Sequence, residues 1–251
     1  MKTVGKLFVV ATPIGNLNDI SPRAIETLKN ADFVAAEDTR NFAKLAAKLE
    51  IETKKISFHQ NSDPEKIGKI LRAGNSVALV SDAGTPAISD PGGKLVQFCT
   101  ENNFLVAPIP GVSAVSAALS VAGFPADRFE FLGFLPAKKG REKTFREIAE
   151  KKITVVFFES PRRILKFLNS AIEFFPERKI FVAREMTKIF EQFYRGTAAE
   201  ILQIFTENPD QIRGEFCVVI APEKFGKSNA VPQIFRRQKS LVDRRGKISR
   251  R

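Results

Sequence analysis

Tryptophan is absent from this 251-residue chain; histidine and tyrosine occur once each, cysteine and methionine twice each. The two cysteines, Cys99 and Cys217, stand in separate apolar-periodic segments, so a disulfide scaffold is excluded and buried thiols are expected. With His59 as the single histidine and no CxxC pair, zinc lacks its usual ligands, and no metal is expected. No apolar run reaches membrane-spanning length, and the N-terminal MKTVGKLFVVATPIGN has too short an apolar core for a signal peptide. The expected location is the cytoplasm, with no membrane partner. A dinucleotide fingerprint is missing too, because the first strand-like run leads into ATPIGN and not into G-x-G-x-x-G. The later APEKFGKS resembles a P-loop, but Glu223 stands where backbone amides should gather phosphates, and Pro232 soon interrupts the helix that should follow.

What is present is an ordinary globular composition, 43% apolar and 27% charged, in a chain long enough for one large domain or two small ones. The formal charge of +12 is unevenly spread. From Lys224 onward ten Lys or Arg face one Asp, so most of the excess lies in residues 224–251. Such a tail could contact nucleic-acid phosphates or simply keep a terminus solvated.

Strand-like runs alternate with helical patterns, which argues for an α/β fold with largely parallel pairing in the first half. KLFVVA reads as the first strand, and Ser21 followed by Pro22 gives an N-cap and a first-turn proline for a helix to about Asn30. DFVAAE is the second strand, with Asp38 capping a helix over 39–49. KKISF, SVALVS and FLVAPIP are the next strands, Asp63-Pro64 and Asp90-Pro91 repeat the cap-plus-proline device, and a small-residue helix covers 112–122. Turn chemistry in GFPADRF places a domain boundary near Gly123. The expected domains are 1–123, 124–222 and a basic tail over 223–251. In the second domain the runs at 179–184 and 189–196 are close enough for a hairpin, hence a mixed sheet.

Four polar loops follow the proposed strands at their carboxyl ends: TPIGN, EDTR (37–40), SDAGTP and PIPGVSA. In an open α/β sheet these ends share one edge, where ligands bind. Their convergence is the residue-level argument for a site.

The blocks ATPIGNLNDISPRA, AAEDTR, SDAGTPAISDPG, PIPGVSA, GFLP, FFESPRRI and REMTKIFEQFYRG occur in order from Leu7 onward. In this order they resemble the small-subunit (16S) ribosomal RNA cytidine 2′-O-methyltransferases, members of the tetrapyrrole methylase superfamily. The resemblance implies a two-domain enzyme, an N-terminal parallel-sheet domain and a C-terminal mixed-sheet α/β domain, with S-adenosyl-L-methionine held in the cleft between them. It further implies a homodimer whose partner is 16S rRNA or the small ribosomal subunit. Carried over block by block, it assigns Pro13, Ile14, Gly84, Thr85, Pro86, Ile88, Ser113 and Ala114 to the cofactor, with Phe158 and Phe216 as weaker candidates.

A sulfonium cation and an adenine favour carbonyl oxygens and apolar walls over a phosphate loop. In-line methyl transfer needs alignment and no metal, but a ribose hydroxyl must lose its proton. Within the matched blocks Lys188 is the candidate base, provided burial or neighbouring cations lower its pKa, with Arg184, Glu185 and Arg40 positioning or stabilising charge. Each has a plainer explanation: Asp38 and Asp90 are good caps, and Glu185 with Lys188 makes an ordinary i,i+3 pair. Arg162 departs from the family pattern, in which histidine is common after ESP, so an acid–base role there does not carry over. Methylation of a tetrapyrrole or other small molecule, and a non-catalytic ribosome-assembly role, remain as alternatives.

Overall fold

The computed structural model describes residues 4–90, 92–225 and 233–236. The chain folds as two compact units, Met1–Ala114 and the residues from Val115 onward. The division falls one helix before the turn at Gly123.

The first unit is a five-stranded, wholly parallel sheet in the order β3-β2-β4-β1-β5. Its strands are β1 (Lys6–Val10), β2 (Phe33–Ala36), β3 (Lys54–Ser57), β4 (Val77–Val80) and β5 (Leu105–Ile109). The helices between them are α1 (Pro22–Asn30), α2 (Thr39–Leu49), α3 (Glu65–Arg72) and α4 (Gly92–Glu101). Local chemistry sets these boundaries. The Ser21 hydroxyl accepts the Ala24 N–H at 3.1 Å with Pro22 in the first turn, and Asp38 caps α2 through the N–H groups of Arg40 and Asn41. Asp63 accepts the Glu65 N–H at 2.9 Å, while Pro64 itself sits at the cap of α3. Asp90 likewise accepts the Gly92 N–H at the start of α4, and Pro91 lies outside the described residues.

β4 is buried at every position, as a central parallel strand with both faces covered must be. One face packs Leu28, Phe42 and Ala46 of α1 and α2, and the other packs Ile67, Leu71 and Leu95 of α3 and α4. Cys99 lies in the second of these clusters, where burial pushes its thiol up to about 11.

The second unit holds α5, whose helix runs Ala114–Ala122, and a six-stranded mixed sheet in the order β11-β9-β8-β10-β7-β6. The strands are β6 (Phe129–Phe134), β7 (Thr154–Glu159), β8 (Ile180–Arg184), β9 (Gln192–Gly196), β10 (Phe216–Ile220) and β11 (Gln233–Arg236). β6 and β7 are parallel and all the other pairs antiparallel, including the expected β8–β9 hairpin. Helices α6 (Arg141–Glu150), α7 (Pro161–Phe174) and α8 (Ala198–Glu207) supply one large core with this sheet, built on Phe145, Phe157, Phe167, Tyr194 and Phe205. Thr197 and Glu200 close a reciprocal capping box at the start of α8. Cys217 is buried in β10 and its thiol is pushed up to about 12 by desolvation.

β11 is a correction to the expected basic tail over 223–251. Residues 233–236 pair antiparallel with β9, Phe235 against Phe193, and their rings stack at 5.6 Å. Most of the basic residues after Phe225, and the P-loop-like segment from Gly226 on, lie outside the described residues.

Candidate functional site

In the first sheet β1 lies between β4 and β5, so the loops leaving these three strands emerge side by side at the carboxyl edge. They are tied together by main-chain bonds. Thr12 and Gly84 exchange both N–H···O=C bonds, at 2.9 and 3.0 Å, joining the loop after β1 to the loop after β4. The Thr85 hydroxyl donates to the Val112 carbonyl at 3.1 Å, joining the β4 loop to the β5 loop. Gly111 approaches the end of β1 so closely that a Cβ there would lie 2.8 Å from the Ala11 Cβ.

Gly84 has φ +78°, and a Cβ on it would meet Ile14 Cγ2 at 3.3 Å. Two non-glycine residues of the same loop, Ala87 (φ 70°) and Ser89 (φ 66°), also occupy the left-handed region. Asp90 holds them there by accepting the Ala87 N–H at 2.5 Å. Backbone strain of this kind persists where surrounding structure over-determines it, and it gathers at ligand sites.

The expected cofactor residues of this unit therefore share one loop cluster. Pro13, Thr85, Ser113 and Ala114 are half-buried, Gly84, Pro86 and Ile14 buried, and Ile88 exposed. The same edge is acidic. β2 lies next to β4, and Asp82 there accepts the Asp38 N–H and the Asn41 side-chain amide. Burial, with Asp82 and then Asp90 nearby, raises the pKa of Glu37. An edge of this charge repels a pyrophosphate and suits a cation such as a sulfonium. Arg40 is exposed on the first turn of α2 in this unit.

The second unit brings Arg184, Glu185 and Lys188 together at the β8–β9 turn. Lys188 Nζ is 2.9 Å from Glu185 Oε1 and 3.0 Å from Glu215 Oε2. Burial opposes the Lys188 charge, but the two carboxylates outweigh it and the pKa is raised. This reverses the requirement placed on Lys188 as a base. In this arrangement it is a fixed ammonium donor. Burial likewise pushes the Glu185 carboxyl up, and the Lys188 ammonium with the Glu215 N–H pulls it further down, leaving it lowered. Arg184 is buried and spends its donors on the Arg213 carbonyl (2.7 Å), Gln192 Oε1 (2.8 Å) and the Phe190 carbonyl (3.3 Å). It anchors the turn from beneath.

Two partners of this cluster carry no local sequence signal. Glu215 is 27 residues from Lys188 and meets it because Phe216 of β10 is in register with Arg184 of β8. Gly214 (φ +89°) passes so close that a Cβ would lie 2.5 Å from the Glu185 side chain.

Of the two aromatic candidates, Phe158 is half-buried and joins Phe131 and Phe134, with ring centroids at 5.1 and 5.6 Å. Beside it, Arg163 and Arg141 donate to the consecutive carbonyls of Leu135 and Pro136, pinning the GFLP loop, while buried Glu159 holds Arg163. Phe216 is 2% exposed and packs edge-on against Phe205 in the helix-covered core. Arg162 is exposed on the first turn of α7. Among the described residues no group of three or more His, Cys, Asp or Glu could hold a metal, and no helix is long and apolar enough to cross a membrane.

Residues 6–202 match the family model for Tetrapyrrole (Corrin/Porphyrin) Methylases. The chain belongs to this family. Among curated relatives, this tetrapyrrole methylase family member is 47% identical over 223 residues to ribosomal RNA small subunit methyltransferase I of Synechocystis sp., covering 87% of the chain and 79% of that protein. It is 42% identical to the protein of the same name from Thermotoga maritima, covering 87% of the chain and 99% of the relative. Solved structures share the family fold. Cobalt precorrin-4 methyltransferase superposes with a TM-score of 0.64 at 18% identity, covering 86% of this chain and 94% of that one. Uroporphyrin-III C-methyltransferase from Thermus thermophilus, complexed with S-adenosyl homocysteine, superposes with a TM-score of 0.60 at 18% identity, covering 86% and 97%.

Proposed function

We propose that this protein transfers a methyl group from S-adenosyl-L-methionine to the 2′-oxygen of a cytidine in 16S ribosomal RNA, releasing S-adenosylhomocysteine and giving the hydroxyl proton to water. The observation that carries this reading is identity of 42–47%, over most of the chain, to proteins named ribosomal RNA small subunit methyltransferase I. The tied loops after β1, β4 and β5 support a cofactor site at Pro13, Ile14, Gly84, Thr85, Pro86, Ile88, Ser113 and Ala114, and Phe158 remains the aromatic candidate. The bound cofactor supplies the electrophilic methyl group. The acidic strand edge favours its cation, and Gly84 leaves the space a side chain would fill.

Lys188, kept as an ammonium by Glu185 and Glu215, is assigned to stabilise negative charge developing on the ribose oxygen. Arg184 fixes the turn that carries it, and Arg40 is assigned to RNA phosphate contact. The acting form is proposed to be a homodimer, and its substrate the small subunit or its RNA.

The test is incubation with labelled S-adenosyl-L-methionine and unmodified small subunits, or naked 16S RNA, followed by mapping of the label. Label at a single cytidine ribose is the expected result. Cofactor binding without incorporation into either substrate overturns the activity, and light scattering of the purified protein checks the dimer.

A further inference from the structure

The turn between β8 and β9 ends in two apolar side chains that nothing in the fold requires. Ile189 is 72% and Phe190 67% exposed, the two highest values among the large apolar side chains described, and they are neighbours. Isolated exposed apolar residues need no explanation. A pair of them on a rigid tip does.

The tip is rigid by construction. Glu185 (φ 51°) and Thr187 (φ 65°) both hold left-handed backbone, an expensive conformation for a β-branched residue. Main-chain bonds from Lys188 N–H to Glu185 O (3.0 Å) and from Glu191 N–H to Lys188 O (3.2 Å) close the turn. The Glu191 carboxylate accepts the Thr187 N–H at 2.6 Å, and buried Arg184 grips the Phe190 carbonyl. Every one of these bonds uses backbone or polar groups, and none involves the Phe190 ring. The strain presents the ring instead of burying it.

The position of the tip selects the occupant. Lys188, the group assigned to the ribose oxygen, directly precedes the pair on the turn. Glu185, Glu215 and Glu191 are all engaged in holding Lys188 or the turn. An exposed aromatic ring two residues from a donor assigned to the ribose is placed to stack on an unpaired base, the contact by which aromatic side chains hold single-stranded RNA.

We infer that the Ile189–Phe190 tip is a stacking platform for an unpaired base of the substrate RNA, positioned beside Lys188. This rests on the RNA-methylation reading and adds to it a residue for substrate recognition.

The chain's composition makes the test direct. It contains no tryptophan, so Phe190→Trp introduces a lone tryptophan at the tip that can be excited selectively over Tyr194. The probes are a cytidine-containing single-stranded oligoribonucleotide and unmodified 16S RNA, with binding read independently by anisotropy of labelled RNA. Trp at 190 should be quenched by RNA and shielded from acrylamide, while Phe129→Trp on β6 should keep its accessibility. Phe190→Ala should weaken RNA binding roughly tenfold, with Tyr at the same position restoring it and the melting temperature unchanged.

RNA binding that leaves the reporter at 190 unquenched and accessible overturns the inference. So does a reporter already shielded without RNA at concentrations where light scattering finds a dimer that Phe190→Ala dissociates, because a second copy then covers the tip. Methyl transfer to small subunits by the unsubstituted protein is read in parallel. Transfer with an unquenched reporter removes this inference alone, and quenching without transfer removes the activity alone.

Discussion

At Gly84 and Gly214 a single added methyl group would disturb the site. At Gly84 a β-carbon would force a residue at φ +78° against Ile14, so Gly84→Ala should cost about 1–2 kcal/mol of stability and weaken cofactor binding. Calorimetric titration and a thermal melt on the same variant check both. At Gly214 the added carbon would displace Glu185 from Lys188. Gly214→Ala is expected to slow methyl transfer under single-turnover conditions while cofactor affinity stays near its original value.

The pH dependence follows from the same residues. Glu185 has a lowered pKa, so its stabilisation is present above the ordinary glutamate value and is lost as pH falls through the lower folded one. Lys188 has a raised pKa, so its contribution is full below the ordinary lysine value and is lost as pH rises through the higher folded one. Across neutral pH the pair stays charged. The single-turnover rate between about pH 6 and about pH 9 should therefore show no inflection that Lys188→Ala removes. Such an inflection would restore Lys188 as a base. A rate unchanged in Lys188→Ala would remove it from the chemistry altogether.

Elements depend on caps and packing that are independent of the site. Ser21→Ala deletes the cap of α1 and should cost about 1 kcal/mol, and Thr197→Ala, which breaks the capping box of α8, a similar amount. Arg178 is a larger case. It is buried, burial lowers its pKa to about 10, and it donates to the carbonyls of Ile148 and Ala221, linking the end of α6 to the end of β10. Arg178→Ala removes these bonds, leaving Ile148 O with the Lys151 N–H alone, and should destabilise the second unit by about 2–4 kcal/mol in chemical denaturation. Element positions were legible where cap and apolar period agree, as at α1 and α2, with Pro22 adding to the signal at α1. The segment 233–236 was not, since a short strand among basic residues resembles a solvated tail until β9 offers it an edge.

At the scale of the whole molecule, two sheets of different kinds are built in one chain whose formal charge is +12. RNA binding should weaken about tenfold or more between about 50 and about 200 mM salt, the dependence of about three or more phosphate contacts. A binding constant that ignores salt would contradict an RNA substrate and favour a small molecule.

The sequence alone determined the alternation of strands and helices, the caps that start α1 and α2, and the ordered blocks that mark the family. These are local signals, set by neighbouring residues in the chain. Only the tertiary structure decided which side chains those blocks share. The strand order puts β1 between β4 and β5, so three distant loops become one bonded cluster. Register between β8 and β10 brings Glu215 to Lys188 and raises the pKa of the expected base, because two carboxylates outweigh burial. Phe216 shows the same limit from the other side. In FCVVI every residue is apolar, so no alternation in the sequence says which face of β10 meets the helices, and the packing of Phe205 settles it.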